Sequence, residues 1–250
     1  MKIENIGTTL EVPRKHNGVS WAVSIHGIGG SKKQTIIRSL ARDLLAKGFA
    51  VITFDCRNGS GMSRGDIQDA TTGGYYEDLE IVLNFATSEM GFSYPVMLVG
   101  VSLGGGVATM YAQNHPKRVK SLCLISTVVS GDLVVEAMEG FFGKKIDRKN
   151  PPQFPISTPS GSVLFEWRNP EGLLDYNMLT NADKITMPAL FISGSGDTWT
   201  PAKYPRMLYD AIATDDKKFV VVQSSDHSLT EANTLEEISS TLREWIEEHR

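Results

Sequence analysis

Cysteine is scarce in this sequence: Cys56 and Cys123 are the only two in 250 residues. That is too few for a disulfide framework or a cysteine-based metal centre. Cys123 sits in the apolar run SLCLIS and reads as a small buried hydrophobe. Long apolar runs are also missing. No stretch approaches the roughly 20 apolar residues of a membrane helix, and MKIENIGTTL lacks the apolar core of a signal peptide. The default expectation is a cytosolic, reducing location with no membrane span. Dense charge of one sign is lacking too. Twenty-five basic and 29 acidic residues leave a net charge of −4, and Lys144–Lys145 and Lys217–Lys218 are only pairs. Nucleic-acid backbones need clustered cations, so no nucleic-acid partner is expected. Neither H-E-x-x-H nor H-x-H occurs, and Gly27-Ile28-Gly29-Gly30-Ser31-Lys32 satisfies neither the phosphate-loop nor the dinucleotide pattern. No metal or cofactor is expected.

What is present is an ordinary globular composition, 41% hydrophobic and 22% charged. At this length folding buries roughly 70% of the unfolded chain's surface, enough for a sizeable core. A single domain over residues 1–250 is expected. The first segment reads as a short strand joined to the segment around Trp21 through RKHNG, whose Asn17–Gly18 pair is a hairpin turn signal. Then buried strands alternate with amphipathic helices. WAVSIHG, AVITFD, VMLVG and VKSLCLIS are strand candidates; helices are expected over Gln34–Lys47, Tyr75–Met90 and Ser102–Asn114. The rhythm breaks over 131–183, where Pro151, Pro152, Pro155 and Pro159 crowd together and no clear strand is visible. It resumes with PALFISGSGD, a helix near Lys203–Ala213, KFVVVQ and a last helix over Leu235–Glu248. Such alternation implies a parallel sheet covered on both faces, with 131–183 inserted over it.

The strongest chemical signal is Gly100-Val101-Ser102-Leu103-Gly104, a G-x-S-x-G between a strand and a helix. A sharp turn there lifts the serine hydroxyl over the sheet edge, and the glycines permit close backbone approach. A serine hydroxyl needs a base, usually histidine, oriented by an acid. Three histidines follow Ser102. His115 falls at the far end of the helix that Ser102 starts, about 20 Å away at 1.5 Å per residue. His249 is penultimate and expected to fray. His227, just past KFVVVQ, lies at the same sheet edge as Ser102. The acid should also follow a strand, and Asp197 in GSGD does. Asp132, after the fourth buried strand, is its competitor, and Asp226 starts from the wrong place to orient the ring of His227. An oxyanion hole needs two backbone N–H groups. Leu103, directly after the serine, supplies one, and Ile28 in His26-Gly27-Ile28-Gly29-Gly30 the other. His26 packs and hydrogen-bonds to hold that loop.

The sequence resembles the α/β-hydrolase fold superfamily over nearly its whole length, through HGIGG, GVSLG, GSGD and SDH in order. It looks closest to small esterases of the cinnamoyl/feruloyl-esterase and monoacylglycerol-lipase-like groups. The resemblance implies an eight-stranded, mostly parallel sheet with one antiparallel strand, helices on both faces, and a small cap after the sixth strand. Relatives often carry R-G-x-G-x-S after the strand ending at Asp55; here the segment is Arg57-Asn58-Gly59-Ser60-Gly61-Met62-Ser63, with Ser60 at the usual histidine position.

The reading is a serine hydrolase of carboxylic esters acting on a small molecule, with Ser102, Asp197 and His227 as its catalytic set. Leu133, Val134, Met138, Phe141, Phe142, Phe165, Trp167 and Trp199 offer an apolar cap suited to acyl or aryl groups, or simply pack it onto the sheet. A thioesterase or serine peptidase would use the same machinery. A non-catalytic small-ligand-binding module on the same fold is the alternative of another class. The oligomeric state is not legible in the sequence.

Overall fold

A computed structural model describes residues 2–3, 6–11, 20–158 and 161–249. The chain opens with strands β1 (Lys2–Ile3) and β2 (Ile6–Glu11), followed by β3 (Trp21–Ile25), helix α1 (Thr35–Ala46) and β4 (Ala50–Asp55). Next come α2 (Thr72–Glu89), β5 (Val96–Val101), α3 (Leu103–Asn114) and β6 (Val119–Ile125). Between β6 and the next sheet strand lie α4 (Gly131–Phe142), β7 (Phe154–Thr158), β8 (Gly161–Phe165) and α5 (Pro170–Leu174). The chain ends with β9 (Ala189–Gly194), α6 (Lys203–Ala211), β10 (Lys217–Val222) and α7 (Ala232–Glu248). No helix among the described residues is long and apolar enough to cross a membrane.

Among the described residues, eight strands form one sheet in the order β1-β2-β4-β3-β5-β6-β9-β10. β2 runs antiparallel to β1 and β4, and every other neighbouring pair is parallel. Strands β3, β4, β5 and β9 are buried at every residue, which is why they read as mostly apolar runs. α1 and α7 cover one face through Leu40, Leu44, Leu242 and Trp245. α2 and α3 cover the other through Leu79, Leu83, Val107 and Tyr111. From β3 the chain crosses to β4 on one side and then to β5 on the other. The loops leaving β3 and β5 therefore diverge and open a crevice at the carboxyl edge of the sheet.

Besides α7, which begins at Ala232 rather than Leu235, three expectations need correction. β2 and β3 do not form a hairpin; both pair with β4, on its opposite edges. A turn signal is local and does not choose a partner, and a wholly buried β4 needs a ladder on each edge. The Asn17–Gly18 turn itself lies outside the described residues, as does Pro159. Second, α2 begins at Thr72 rather than Tyr75. Thr71 caps it, its hydroxyl accepting the Gly74 N–H at 2.9 Å, so the two glycines sit inside the first turn. Third, the segment between β6 and β9 does contain strands. β7 and β8 pair antiparallel, with Pro155 opposite Leu164. A two-stranded ribbon leaves alternate N–H groups unpaired, so it tolerates a proline that a central strand would not. Gln68 ties this hairpin down: its amide donates to the Leu164 carbonyl at 2.9 Å and accepts the Glu166 N–H at 2.5 Å. Arg168 adds ion pairs to Asp66 at 3.1 Å and Asp69 at 3.4 Å.

Asp55, at the end of β4, joins three segments near the sheet edge. Its carboxylate accepts the Lys32 N–H at 2.7 Å, the Lys32 ammonium at 3.1 Å and the Met62 N–H at 2.9 Å. Lys32 also reaches the Gly7 carbonyl at 2.8 Å. Burial pushes the Asp55 carboxyl up, but Met62 and Lys32 outweigh it, and the net shift is downward. A carboxyl held below its unfolded value of about 3.9 contributes stability above that pH and loses it as pH falls through the folded-state value. Asp55→Asn strands the Lys32 charge and is expected to cost about 3–5 kcal/mol at pH 7. Its stability should also fall less steeply than wild type on acidification below about pH 4. Urea denaturation of both proteins at pH 7, 4 and 3 measures the two effects.

Candidate active site

The crevice is dominated by the turn from β5 into α3. Ser102 sits in that turn with φ 54° and ψ −118°, a backbone conformation rare for a residue with a Cβ. Its N–H donates to the Ile125 carbonyl at 2.9 Å. Its own carbonyl accepts from Gly105, Gly106 and Val128 at 3.0, 3.3 and 3.2 Å. The flanking glycines are a steric necessity. A Cβ on Gly100 would lie 2.4 Å from the Gly104 carbonyl oxygen, and one on Gly104 would lie 2.3 Å from that of Ile25. The turn therefore projects a serine hydroxyl above the sheet edge with α3 beginning directly behind it.

His227 and Asp197 meet that serine. The His227 Nε2 lies 3.0 Å from Ser102 Oγ, and Nδ1 lies 2.8 Å from Asp197 Oδ2. An ionised Asp197 can only accept, which places the imidazole hydrogen on Nδ1 and leaves Nε2 to accept from the serine hydroxyl. Asp197 is buried. Burial pushes its carboxyl up, but the hydrogen bond and charge of His227 and two bonds from Thr200 prevail, so the net shift is downward. Oδ1 accepts the N–H groups of Trp199 and Thr200 at 2.9 and 2.8 Å. Thr200 was missed by sequence reasoning, although a hydroxyl three residues after the acid in Asp-Thr-Trp-Thr signals an Asx-type turn.

The other candidates fall elsewhere. Asp132 is exposed on α4 and pairs with Arg148, away from the histidine. His115 ends α3 and packs on Tyr111 at 4.6 Å between ring centroids. His249 does not fray: it stacks on Trp245, and its Nε2 lies 2.8 Å from Asp216. Asp226 accepts from the backbone and hydroxyl of Ser228, which fixes the loop around His227. His26 holds the loop after β3, as expected. Its Nε2 accepts the Cys56 N–H at 2.9 Å, which leaves Nδ1–H to donate to the Gly27 carbonyl at 2.7 Å. Burial lowers its pKa and keeps it neutral. The Arg57–Ser63 loop backs this arrangement through the Ser60 N–H, which donates to the Gly30 carbonyl at 3.0 Å. The unusual Ser60 therefore acts through its backbone.

A cavity of about 400 Å³ opens over Ser102, with Ile28, Leu103 and His227 in its wall. Of the expected cap residues, Val134, Trp167 and Trp199 line it. Met138 and Phe165 are packed in the core, and Phe141 is exposed with its ring stacked on Trp199 at 5.6 Å. Phe154, Ile156 and Leu173 are lining residues that the proline-rich stretch concealed. Among the described residues no lysine or arginine lines the cavity, and no cluster of His, Cys, Asp and Glu could hold a metal ion.

The model of the alpha/beta hydrolase fold family matches residues 23–154. An uncharacterized 31.7 kDa protein of Escherichia coli is 25% identical, over 98% of this chain and 96% of its own. The mitochondrial palmitoyl-protein thioesterase ABHD10 of Bos taurus is 26% identical, over 80% of this chain and 64% of its own. Among solved structures, Est1E from Butyrivibrio proteoclasticus with ferulic acid bound superposes with a TM-score of 0.82. It is 20% identical and covers 100% of this chain and 98% of its own.

Gly104→Ala tests the packing that raises the serine. The added methyl must displace α3 from the Ile25 carbonyl, an overpacking expected to cost about 1–3 kcal/mol or more. Chemical denaturation should show that loss, whereas Gly73→Ala, where a Cβ meets nothing within 4 Å, should show none.

Proposed function

Because the chain belongs to the alpha/beta hydrolase fold family, we propose that it is a serine hydrolase cleaving carboxylic esters. The observation that carries the reading is the continuous contact from Asp197 through His227 to Ser102, at 2.8 and 3.0 Å, on the floor of an apolar cavity. In the proposed reaction Ser102 Oγ attacks the carbonyl carbon while His227 Nε2 takes its proton. Asp197 holds the tautomer and stabilises the imidazolium. Collapse of the tetrahedral intermediate expels the alkoxide, which takes the proton from His227 and leaves an acyl-serine. Water then attacks the acyl carbon, again giving its proton to His227, and the carboxylic acid departs with Ser102 restored.

The developing oxyanion would be held by the N–H groups of Ile28 and Leu103. Leu103 is the first residue of α3, so its N–H has no partner within the helix and faces the anion together with the helix dipole. One such donor is typically worth about 10²–10³ in turnover.

Residues 131–183 would act as a cap on a single domain, with Phe154, Trp167 and Trp199 enclosing the acyl or aryl group. About 400 Å³ is near the lower end of the roughly 300–1,000 Å³ of small-molecule sites, which favours short-to-medium acyl chains or one aromatic ring. The ferulic acid held by Est1E supports an aryl acid. The thioesterase relative supports a second reading, in which the same serine accepts an acyl thioester.

Ser102→Ala is expected to lower ester turnover at least about 10⁴-fold while leaving the unfolding transition within about 0.5 kcal/mol of wild type. Hydrolysis of p-nitrophenyl acetate, butyrate, octanoate and palmitate by both proteins measures the first effect. The wild type should prefer the three shorter chains. Turnover retained by pure Ser102→Ala would sink the mechanism, and covalent labelling of Ser102 by a fluorophosphonate separates an enzyme from a binding module.

A further inference from the structure

Thr200 takes no step in the proposed reaction, yet it stands at the heart of the site. Thr200 is 3% exposed, and its hydroxyl reaches three atoms. It donates to Asp197 Oδ2 at 2.8 Å or to the Ser126 carbonyl at 3.0 Å, and it lies 3.3 Å from His227 Nδ1. The single hydroxyl hydrogen cannot serve both acceptors fully. Asp197 Oδ2 is also the oxygen that faces the imidazole.

The second acceptor is built for this contact. Ser126 follows β6 with φ 44°, a conformation few residues with a Cβ adopt. Its N–H is bound to the Ile192 carbonyl at 2.8 Å. The strained residue thus fixes a carbonyl toward Thr200 from the strand next to β9. Thr200 bridges the end of β6 to the turn that carries the acid. Its own N–H is held by Asp197 Oδ1 at 2.8 Å, so side chain and backbone grip both carboxylate oxygens.

We propose that Thr200 is a positioning residue of the Ser102–His227–Asp197 set: its hydroxyl fixes the plane of the Asp197 carboxylate and shares the charge of the oxygen that faces His227. The inference rests on the serine-hydrolase reading and adds a specific dependence to it. When His227 takes the serine proton, Oδ2 must draw toward the imidazolium. The Thr200 hydroxyl, placed between Asp197 Oδ2 and the Ser126 carbonyl, keeps the carboxylate from rotating as it does so. Without the hydroxyl, more of the carboxylate charge bears on His227. The imidazolium is then favoured before substrate is attacked, and the acid limb of kcat/KM moves to higher pH. The other charged group on the loop of His227 is Asp226, held by Ser228 and Leu229; no cation lines the cavity among the described residues.

Thr200→Val keeps the branched shape and removes the hydroxyl, whereas Thr200→Ser keeps the hydroxyl. On p-nitrophenyl butyrate, Thr200→Val is expected to lower kcat about 10–100-fold with KM within about twofold, and to shift the acid limb upward by about half a pH unit. The rate of fluorophosphonate labelling at Ser102 should fall by a similar factor. Thr200→Ser should stay within about threefold of wild type on all three readouts. Wild-type kcat and acid limb in Thr200→Val would overturn the proposal. So would equal losses in both variants with an unmoved acid limb, the mark of packing alone. Failure of wild-type Ser102 to label would instead sink the serine-hydrolase reading on which the proposal rests.

Discussion

A serine carried at φ 54° between β5 and α3 is the constraint on which the rest of the site depends. Backbone in that region is costly for a residue with a Cβ, by about 1–3 kcal/mol, and persists only where its surroundings determine it. Here the surroundings are explicit. The Ser102 N–H is held by β6 and its carbonyl by three N–H groups, two from α3 and one from Val128. Glycines at 100 and 104 let strand, helix and the end of β3 approach to distances that no side chain would permit. The turn is thus fixed from the sheet below, the helix behind and the loop beside it, and His227 and Asp197 arrive from β10 and β9 to meet a hydroxyl whose position is already set.

The roof is fastened to the floor at several places, among them the following two. On one side Gln68 uses both ends of its amide on β8, and Arg168 pairs with Asp66 and Asp69. On the other, Trp199 packs between Phe141 of α4 and Phe154 of β7, with ring centroids at 5.6 and 4.5 Å. Trp199 is two residues past Asp197 and donates its N–H to that carboxylate. The acid turn and the segment over the cavity are therefore mechanically continuous. A change in how the aromatic rings pack reaches the carboxylate through one residue of backbone.

Much of this is legible in the sequence, for a physical reason. Strands buried on both faces must be largely apolar, so AVITFD and VMLVG announce themselves, and polar residues just past such strands mark the sheet edge where Ser102, Asp197 and His227 meet. What stayed hidden lacked a period. β8 exposes Gly161 to Leu164 and buries Phe165, which gives no alternation to detect. Pro155 argued against a strand that only a two-stranded ribbon can accommodate. The pairing of β2 with β4 depends on a non-local choice that Asn17–Gly18 could not encode. Thr200 is marked in the sequence only by its place three residues after the acid, because its importance lies in what surrounds it, not in its type.

The buried carboxylates divide by the partners they are given. Asp55 is matched to Lys32, Asp43 to Arg243 at 3.1 Å, and Asp78 to Arg57, whose N–H it also accepts at 2.6 Å. Each of these charges is neutralised by a resident cation and is tied to holding loops and helices. For Asp78, burial outweighs even that cation, and its carboxyl is shifted upward. Asp197 is treated differently. Its partners are two backbone N–H groups, a hydroxyl and the His227 imidazole, with no lysine or arginine among them in the described residues. Two backbone N–H groups and a hydroxyl help to keep the acid ionised in a buried site without cancelling its field. A cation in their place would have stabilised the carboxylate equally well, and would have repelled the positive charge that the proposed reaction places on His227.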